Sequence, residues 1–260
     1  MKALQNFLRK NILSIISLVV FLIAWQIITV YEIVPRRMLV PPTEVVELFF
    51  DKLNNPDPDG ATLLAHFKTS ITLALSGFGL AMIIGVPLGL LMGWYQRFDN
   101  LVRPIFEVMR PIPPIAWIPL AILWFGIGLG AKSFIIWLSA FVPCVINSYT
   151  GIKLTDPVLV RVARIFGATD REIFFKIGIP SAVPMVFTGL RLSLNSAWMT
   201  LVAAELLAAT EGLGYMIQMG RRLLRPDIIV LGMLTIGLVG AILAGVLGKI
   251  EQRITMGRRM

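Results

Sequence analysis

The sequence predicts an all-α, polytopic membrane protein, and three observations lead there. Of its 260 residues, 57% are hydrophobic and only 15% charged, with a mean hydropathy of +0.80, which lies outside the range of soluble domains. Six apolar runs are of the order of the ~20 residues that cross a hydrocarbon core as helix: Ile12–Tyr31, Thr69–Tyr95, Pro104–Phe125, Ser133–Gly151, Val183–Ala208 and Ile228–Gly248. The excess positive charge is confined to alternate connections between them. We expect a single membrane domain over 1–260. It divides into an N-terminal helix with an outer segment (1–68), a core (69–248) and a tail (249–260).

No small-residue cleavage site closely follows Ile12–Tyr31, so the first run reads as a retained span and not a signal peptide. After it, Val40-Pro-Pro-Thr-Glu44 leads into an amphipathic stretch, Val45–Leu53, expected as a short helix at the interface. The run Asn54 to Gly60 is a turn-rich break. The second span carries Gly85, Gly89 and Gly93, two overlapping G-x-x-x-G units that let helices approach closely. We expect them to pack within the chain, with Gly237, Ala241 and Gly245 repeating the device in the sixth span.

The third span is interrupted by Pro111, Pro113, Pro114 and Pro119. Broken backbone inside a membrane is tolerated only where protein or a watery cavity satisfies it. The break is therefore either a kink lining a path or a static kink that packs the bundle; Trp117 either lines that path or packs. Arg103, Glu107 and Arg110 share a face just before it, where Glu107 can pair with both arginines. In the fifth span Arg191, Asn195, Trp198, Val202 and Glu205 stay within about 40° of a common line. Charge there cannot face lipid. The stripe is either the polar wall of a translocation path or a structural pairing, for example of Arg191 with Glu107.

Placing both termini in the cytoplasm puts 14 Lys/Arg and 5 Asp/Glu in the inner segments, against 8 of each in the outer ones. All of the net +9 then sits on one side, which is a topology signal and not a nucleic-acid footprint. A sole histidine, His66, and a sole cysteine, Cys144, make a metal site or an internal disulfide improbable. Gly126 to Ser133 mimics a P-loop, with Ala131 where the second glycine belongs, but it joins two spans instead of a strand and a helix. Energy for any transport must come from a partner or an ion gradient.

Asp156 to Pro180 is the most informative segment, in a loop spanning 152–180. Asp156-Pro157 caps and opens a short helix whose Val158, Leu159, Val162, Ile165 and Phe166 form one apolar face. Gly167 ends it, Thr169 and Glu172 make a capping box for a second helix, and that helix is expected to stop before Pro180. The element either lies in the headgroups or docks in a groove of a cytoplasmic partner. In the docking reading Ile173, Phe174 and Phe175 are the buried contacts and Asp170, Arg171 and Lys176 the polar rim. The alternative for the two phenylalanines is packing against the chain's own helix ends.

This segment resembles the cytoplasmic loop of binding-protein-dependent ABC importer permeases. Ala163, Gly167, Ile177 and Pro180 match the family motif at its spacing, while Arg161, Val162 and Ile179 stand where the family often has Glu, Ala and Leu. Further blocks resemble the taurine, alkanesulfonate and nitrate branch: Arg110–Pro119, Trp124–Gly128, Thr188–Arg191, Leu201–Leu206 and Gly212–Gly214. The resemblance implies a type I importer-like fold of six transmembrane helices in the bacterial inner membrane. It implies a pair of permeases, two P-loop ATPase subunits holding ATP and Mg, and a periplasmic or lipid-anchored solute-binding protein. It carries Ala163, Gly167, Ala168, Thr169, Asp170, Arg171, Ile173, Phe174, Phe175, Lys176 and Pro180 as ATPase-coupling residues. The implied cargo is a small polar or anionic solute, a sulfonate, taurine or nitrate, with another organic anion or a vitamin precursor as alternatives. Path candidates are Glu107, Arg110, Pro111, Pro113, Pro114, Trp117, Arg191, Asn195, Trp198 and Glu205. A secondary transporter would usually show two related halves, which are absent here. A membrane enzyme would need a nucleophile, base or metal cluster that the sequence lacks.

Overall fold

The computed structural model describes residues 2–256, with side chains described for 12–206 and 209–254. Eleven α-helices follow in order: α1 Lys2–Val30, α2 Pro42–Lys52, α3 Leu63–Trp94, α4 Gln96–Met109, α5 Ile118–Phe125, α6 Leu129–Lys153, α7 Pro157–Ile165, α8 Asp170–Ile173, α9 Ile179–Ala208, α10 Leu213–Arg222 and α11 Pro226–Met256. A 3₁₀ turn, Pro114–Trp117, precedes α5, and no strand occurs among the described residues. Among the described residues, five helices are long and apolar enough to cross a membrane, and six if the bent α4–α5 pair is counted as one span.

The centre is built from α3, α6 and α9. Small residues on α3 let its backbone rest against α6: a Cβ added at Gly77 would meet Ile136 at 2.6 Å, at Gly85 Cys144 at 2.8 Å, and at Gly89 the Val145 carbonyl at 2.3 Å. The expected intramolecular role of Gly85, Gly89 and Gly93 is thus what the structure shows. The sixth span differs. Nothing lies within 4 Å of a Cβ at Gly237 or Gly245. Gly240, one helical step away, makes the close contact instead, against the Trp198 indole at 2.9 Å, whose N–H donates to the Ile236 carbonyl at 3.2 Å.

Other boundaries depart from expectation for local reasons. The second span starts at Leu63, because the Thr62 hydroxyl caps it by accepting from the Ala65 N–H at 3.3 Å. Pro104 lies inside α4 and does not begin it, since extended backbone at Tyr95 turns the chain and the helix restarts at Gln96. The proline break falls where expected, and there α4 and the Pro114–Phe125 segment meet at 85°. The second loop helix does not stop before Pro180. It passes through a π-helical turn, Phe174–Gly178, in which the Ile179 N–H donates to the Phe174 carbonyl. Adding one residue to the turn accommodates a proline with no N–H to give, and a single apolar helix runs from Asp170 to Leu206. The unforeseen helix is α10, whose Leu213, Met216 and Gly220 are buried.

Gly89→Ala should force α3 and α6 apart and lower stability by about 1–3 kcal/mol, read as a lower unfolding temperature in detergent. Gly79→Ala, with nothing within 4 Å, should leave it unchanged or raise it.

Candidate functional site

Three groups of candidate side chains occupy the two ends and the middle of the bundle. At the α7 end, Asp156 caps α7 by accepting from the Val158 N–H at 2.7 Å. Gly167, at φ 80°, ends it. The Ala168 N–H reaches back to the Ala163 carbonyl and that of Gly167 to Arg164, both at 3.0 Å, a Schellman closure. The Thr169–Glu172 capping box is formed in both directions. The loop is then fastened to the bundle through Trp94, the last residue of α3. Its indole N–H donates to Asp170 Oδ2 at 3.1 Å, its ring packs 5.5 Å from that of Phe174, and Gly178 leaves it room. Arg164 donates to the other Asp170 oxygen at 3.1 Å.

This fastening divides the coupling candidates. Ile173 and Phe174 are 1% and 4% exposed, Phe174 lying among Leu90, Ile152 and Ala182. They fill the chain's own helix ends and are not free to enter a partner's groove. Asp170 orients α7 and does not simply rim the surface. Ala163, Ala168 and Pro180 are half-buried, while Gly167, Thr169, Arg171, Phe175 and Lys176 are exposed, Lys176 beside Glu172 at 3.5 Å. The open apolar face belongs to α7 and its end, where Ile165 and Phe166 are 83% and 85% exposed.

In the middle, the candidate stripe on α9 splits. Arg191 pairs with Glu251 of α11, not with Glu107. With Asn195 and Trp198 it lines an α9–α11 groove of about 560 Å³. A larger groove of about 790 Å³ lies between α4, the proline break, α6 and α9. Arg110, Pro113 and Pro114 line it, as do Ser139, Ser196 and Thr200, which sequence reasoning missed. Ser139 Oγ lies 2.7 Å from both the Ser196 and the Thr200 hydroxyl oxygens. Glu107 lies 3.5 Å from Arg110. It does not pair with Arg103, which goes to Asp99 at 2.8 Å and to the Tyr149 hydroxyl. Pro111 is exposed on the break. Trp117 lies against Trp124 and Phe134, outside the groove lining.

At the opposite end Glu205 is buried under the first turn of α10, whose orphan N–H groups would otherwise lack partners. Three successive donors are taken up: Gly212 by His66 Nδ1 at 3.0 Å, Leu213 by Ser70 Oγ at 2.8 Å and Gly214 by Glu205 Oε2 at 2.8 Å. Ser70 donates in turn to Glu205 Oε1 at 2.7 Å. Since His66 Nδ1 accepts, its proton sits on Nε2, which faces Asp59 Oδ2 at 3.3 Å. Asp59 also meets the Lys52 ammonium, around which the turn-rich break folds, with Ala61 and Asp57 carbonyls accepting at 2.9 and 3.2 Å. Burial by itself would raise the Asp59 carboxyl, but the Lys52 ammonium and the His66 N–H beside it outweigh that and hold it below its usual range. A lone histidine and a Lys–Asp pair seven residues apart gave no hint of this convergence, because α10 was not foreseen.

Residues 85–256 match the family described as binding-protein-dependent transport system inner membrane component. The chain is 35% identical over 250 residues to the taurine transport system permease protein TauC of Escherichia coli (strain K12), covering 95% of this chain and 90% of that one. It is 31% identical to the nitrate import permease protein NrtB of Synechocystis sp. (strain ATCC 27184 / PCC 6803 / Kazusa), over 94% and 90%. It is also 31% identical to SsuC of Bacillus subtilis (strain 168), named for aliphatic sulfonates transport, over 92% and 85%. The fold resembles a chain of the inward-facing MetNI methionine ABC transporter at a TM-score of 0.63 and 20% identity, over 75% of this chain and 95% of that one.

A carboxylate with a depressed folded pKa contributes its stability above its unfolded value, 3.8 for Asp59, and loses it as pH falls through the lower folded one. Unfolding temperature should therefore decline below about pH 4. Asp59→Asn, which leaves Lys52 buried without its counter-charge, should cost about 3 kcal/mol at neutral pH and flatten that acid decline.

Proposed function

This chain belongs to the binding-protein-dependent transport system inner membrane components, and from that premise we propose that it moves a small organic or inorganic oxyanion inward, driven by ATPase subunits docked on α7. The chain is a multi-pass membrane permease of the ABC transporter class, a transport subunit and not an enzyme. The related taurine, sulfonate and nitrate permeases favour this over an ion-gradient transporter.

The observation that carries the docking is the exposure of Val158, Leu159, Val162, Ile165 and Phe166 on a helix tied through Arg164 to Asp170, which Trp94 and Phe174 join to the bundle. An apolar helical face presented on a fixed mount suits a groove on a partner. Two ATPase subunits, holding ATP and Mg, would close on a pair of permeases and pull on α3 and α9 together. The lysine and arginine distribution supports placing α7 and both termini in the cytoplasm. The α2–α10 end would then meet a solute-binding protein. A second copy of the chain would cover the open flank of the larger groove, where α4 leaves Leu101 and Ile105 exposed. Lipid surrounds the remainder.

Gentle-detergent purification of the tagged chain from its own cell should bring down a stoichiometric P-loop ATPase. The double change Ile165→Asp, Phe166→Asp should release it, each residue losing at least about 2 kcal/mol if it is a contact hot spot. Full ATPase retention by that variant would overturn docking on α7. Phe174→Ala should act differently, lowering the thermal stability of the permease by about 3 kcal/mol through the cavity it leaves.

A further inference from the structure

We infer that the groove between α4, the proline break, α6 and α9 is a solute subsite for a small oxyanion carrying a short apolar body, an organosulfonate, whose oxygens are received by Arg110 and by the Ser196 and Thr200 hydroxyls, with Ser139 the acceptor on which those hydroxyls rest when the site is empty. The inference rests on the permease reading above and narrows its solute.

The polar groups of the lining are hydrogen-bond donors. Arg110 brings a guanidinium at the break, and no Asp or Glu occurs among the described residues that line the groove. Its charge is only partly met, by Glu107 at 3.5 Å on exposed side chains, a pair worth little in itself. Trp137 also lines the groove. The remaining wall, which includes Ile105, Phe106 and Val142, is apolar. Nitrate has no part to place against such a wall, whereas the carbon chain of an alkanesulfonate does.

The hydroxyl cluster can change partners without stranding a polar group. Ser139 Oγ can accept from both the Ser196 and the Thr200 hydroxyls, at 2.7 Å each, while donating to the Ser196 carbonyl at 3.2 Å. On arrival of an oxyanion the Ser196 and Thr200 protons rotate onto it, and Ser139 keeps its carbonyl partner. Donors that swap at such low cost suit a site a solute must enter and also leave. At about 790 Å³ the groove has space for passage as well as for binding. The competing role for the three hydroxyls is to hold α6 to α9 and nothing more.

The test uses cells whose own copy is replaced by the variant, so that every partner is present, and measures uptake of labelled ethanesulfonate, taurine and nitrate. Ser196→Ala with Thr200→Val should cut ethanesulfonate uptake at least about tenfold, the loss expected for hydrogen bonds to a charged group, with unchanged amounts of assembled complex. Unaltered uptake would overturn the subsite. Wild-type cells that take up none of the three solutes would instead sink the solute class proposed above. If the double variant fails to assemble, Thr200→Cys in a Cys144→Ala background decides. A negatively charged methanethiosulfonate reagent should modify it faster than a positively charged one, ethanesulfonate should slow the reaction, and Arg110→Gln should abolish the charge preference. Equal rates for both reagents, or no protection by ethanesulfonate, would leave the hydroxyls as helix glue and overturn the inference.

Discussion

Along its contact with α6, α3 presents a row of glycines. Gly77, Gly85, Gly89 and Gly93 put one backbone against the other at a distance where a single methyl group would meet Ile136, Cys144, Val145 or Ile152 below 3 Å. In hydrocarbon, where helices gain little from excluding water, such close packing is what holds them together. The seam fixes α3, and α3 carries both ends of the functional apparatus. Trp94 at its last turn fastens the α7 loop, and His66 and Ser70 near its first turn take up the N–H groups of α10. At 32 residues it is about 48 Å long, so the two ends are joined by one rod whose axis cannot tilt without opening the seam.

The second connection between the ends is α9. Because the π-helical turn absorbs Pro180, the helix from Asp170 to Leu206 is continuous, and it carries Asp170 at one end and Glu205 near the other. Along its length it passes both grooves, with Arg191, Asn195 and Trp198 turned to α11 and Ser196 and Thr200 turned to α6. A movement imposed at the loop therefore reaches the hydroxyl cluster and the α10 latch through a helix that also shares the loop's capping box.

Much of this was legible in the residues. Apolar run length gives the spans, and capping chemistry gives Asp156, Gly167 and Thr169, since each depends on neighbours within a few positions. The G-x-x-x-G units point to close packing, and the prolines locate the break. What failed did so where partners are distant in sequence. The 3.6-residue period places Arg191 and Glu205 on one line, but different helices lie opposite the two halves of that line. Phe174 and Phe175 are adjacent and chemically alike, yet they are 4% and 60% exposed, because only the first points at Trp94. The Asp59–His66–Gly212 convergence joins three separated segments, and Gly237 and Gly245 have the spacing of a packing seam, yet an added Cβ at either meets nothing among the described residues within 4 Å.

Trp94, Phe174 and Asp170 keep the mount inside the permease and leave its outward face to α7. Under the docking proposed above, the permease's own integrity and its choice of partner are written in different residues. The first three can change only together with the ends of α3 and α9. Val158, Leu159, Val162, Ile165 and Phe166 are free to drift with whatever surface they meet. A segment of nine residues, Pro157–Ile165, together with Phe166, is then an exchangeable cassette: lineages could trade ATPase specificity through it while the membrane domain beneath stayed as it is.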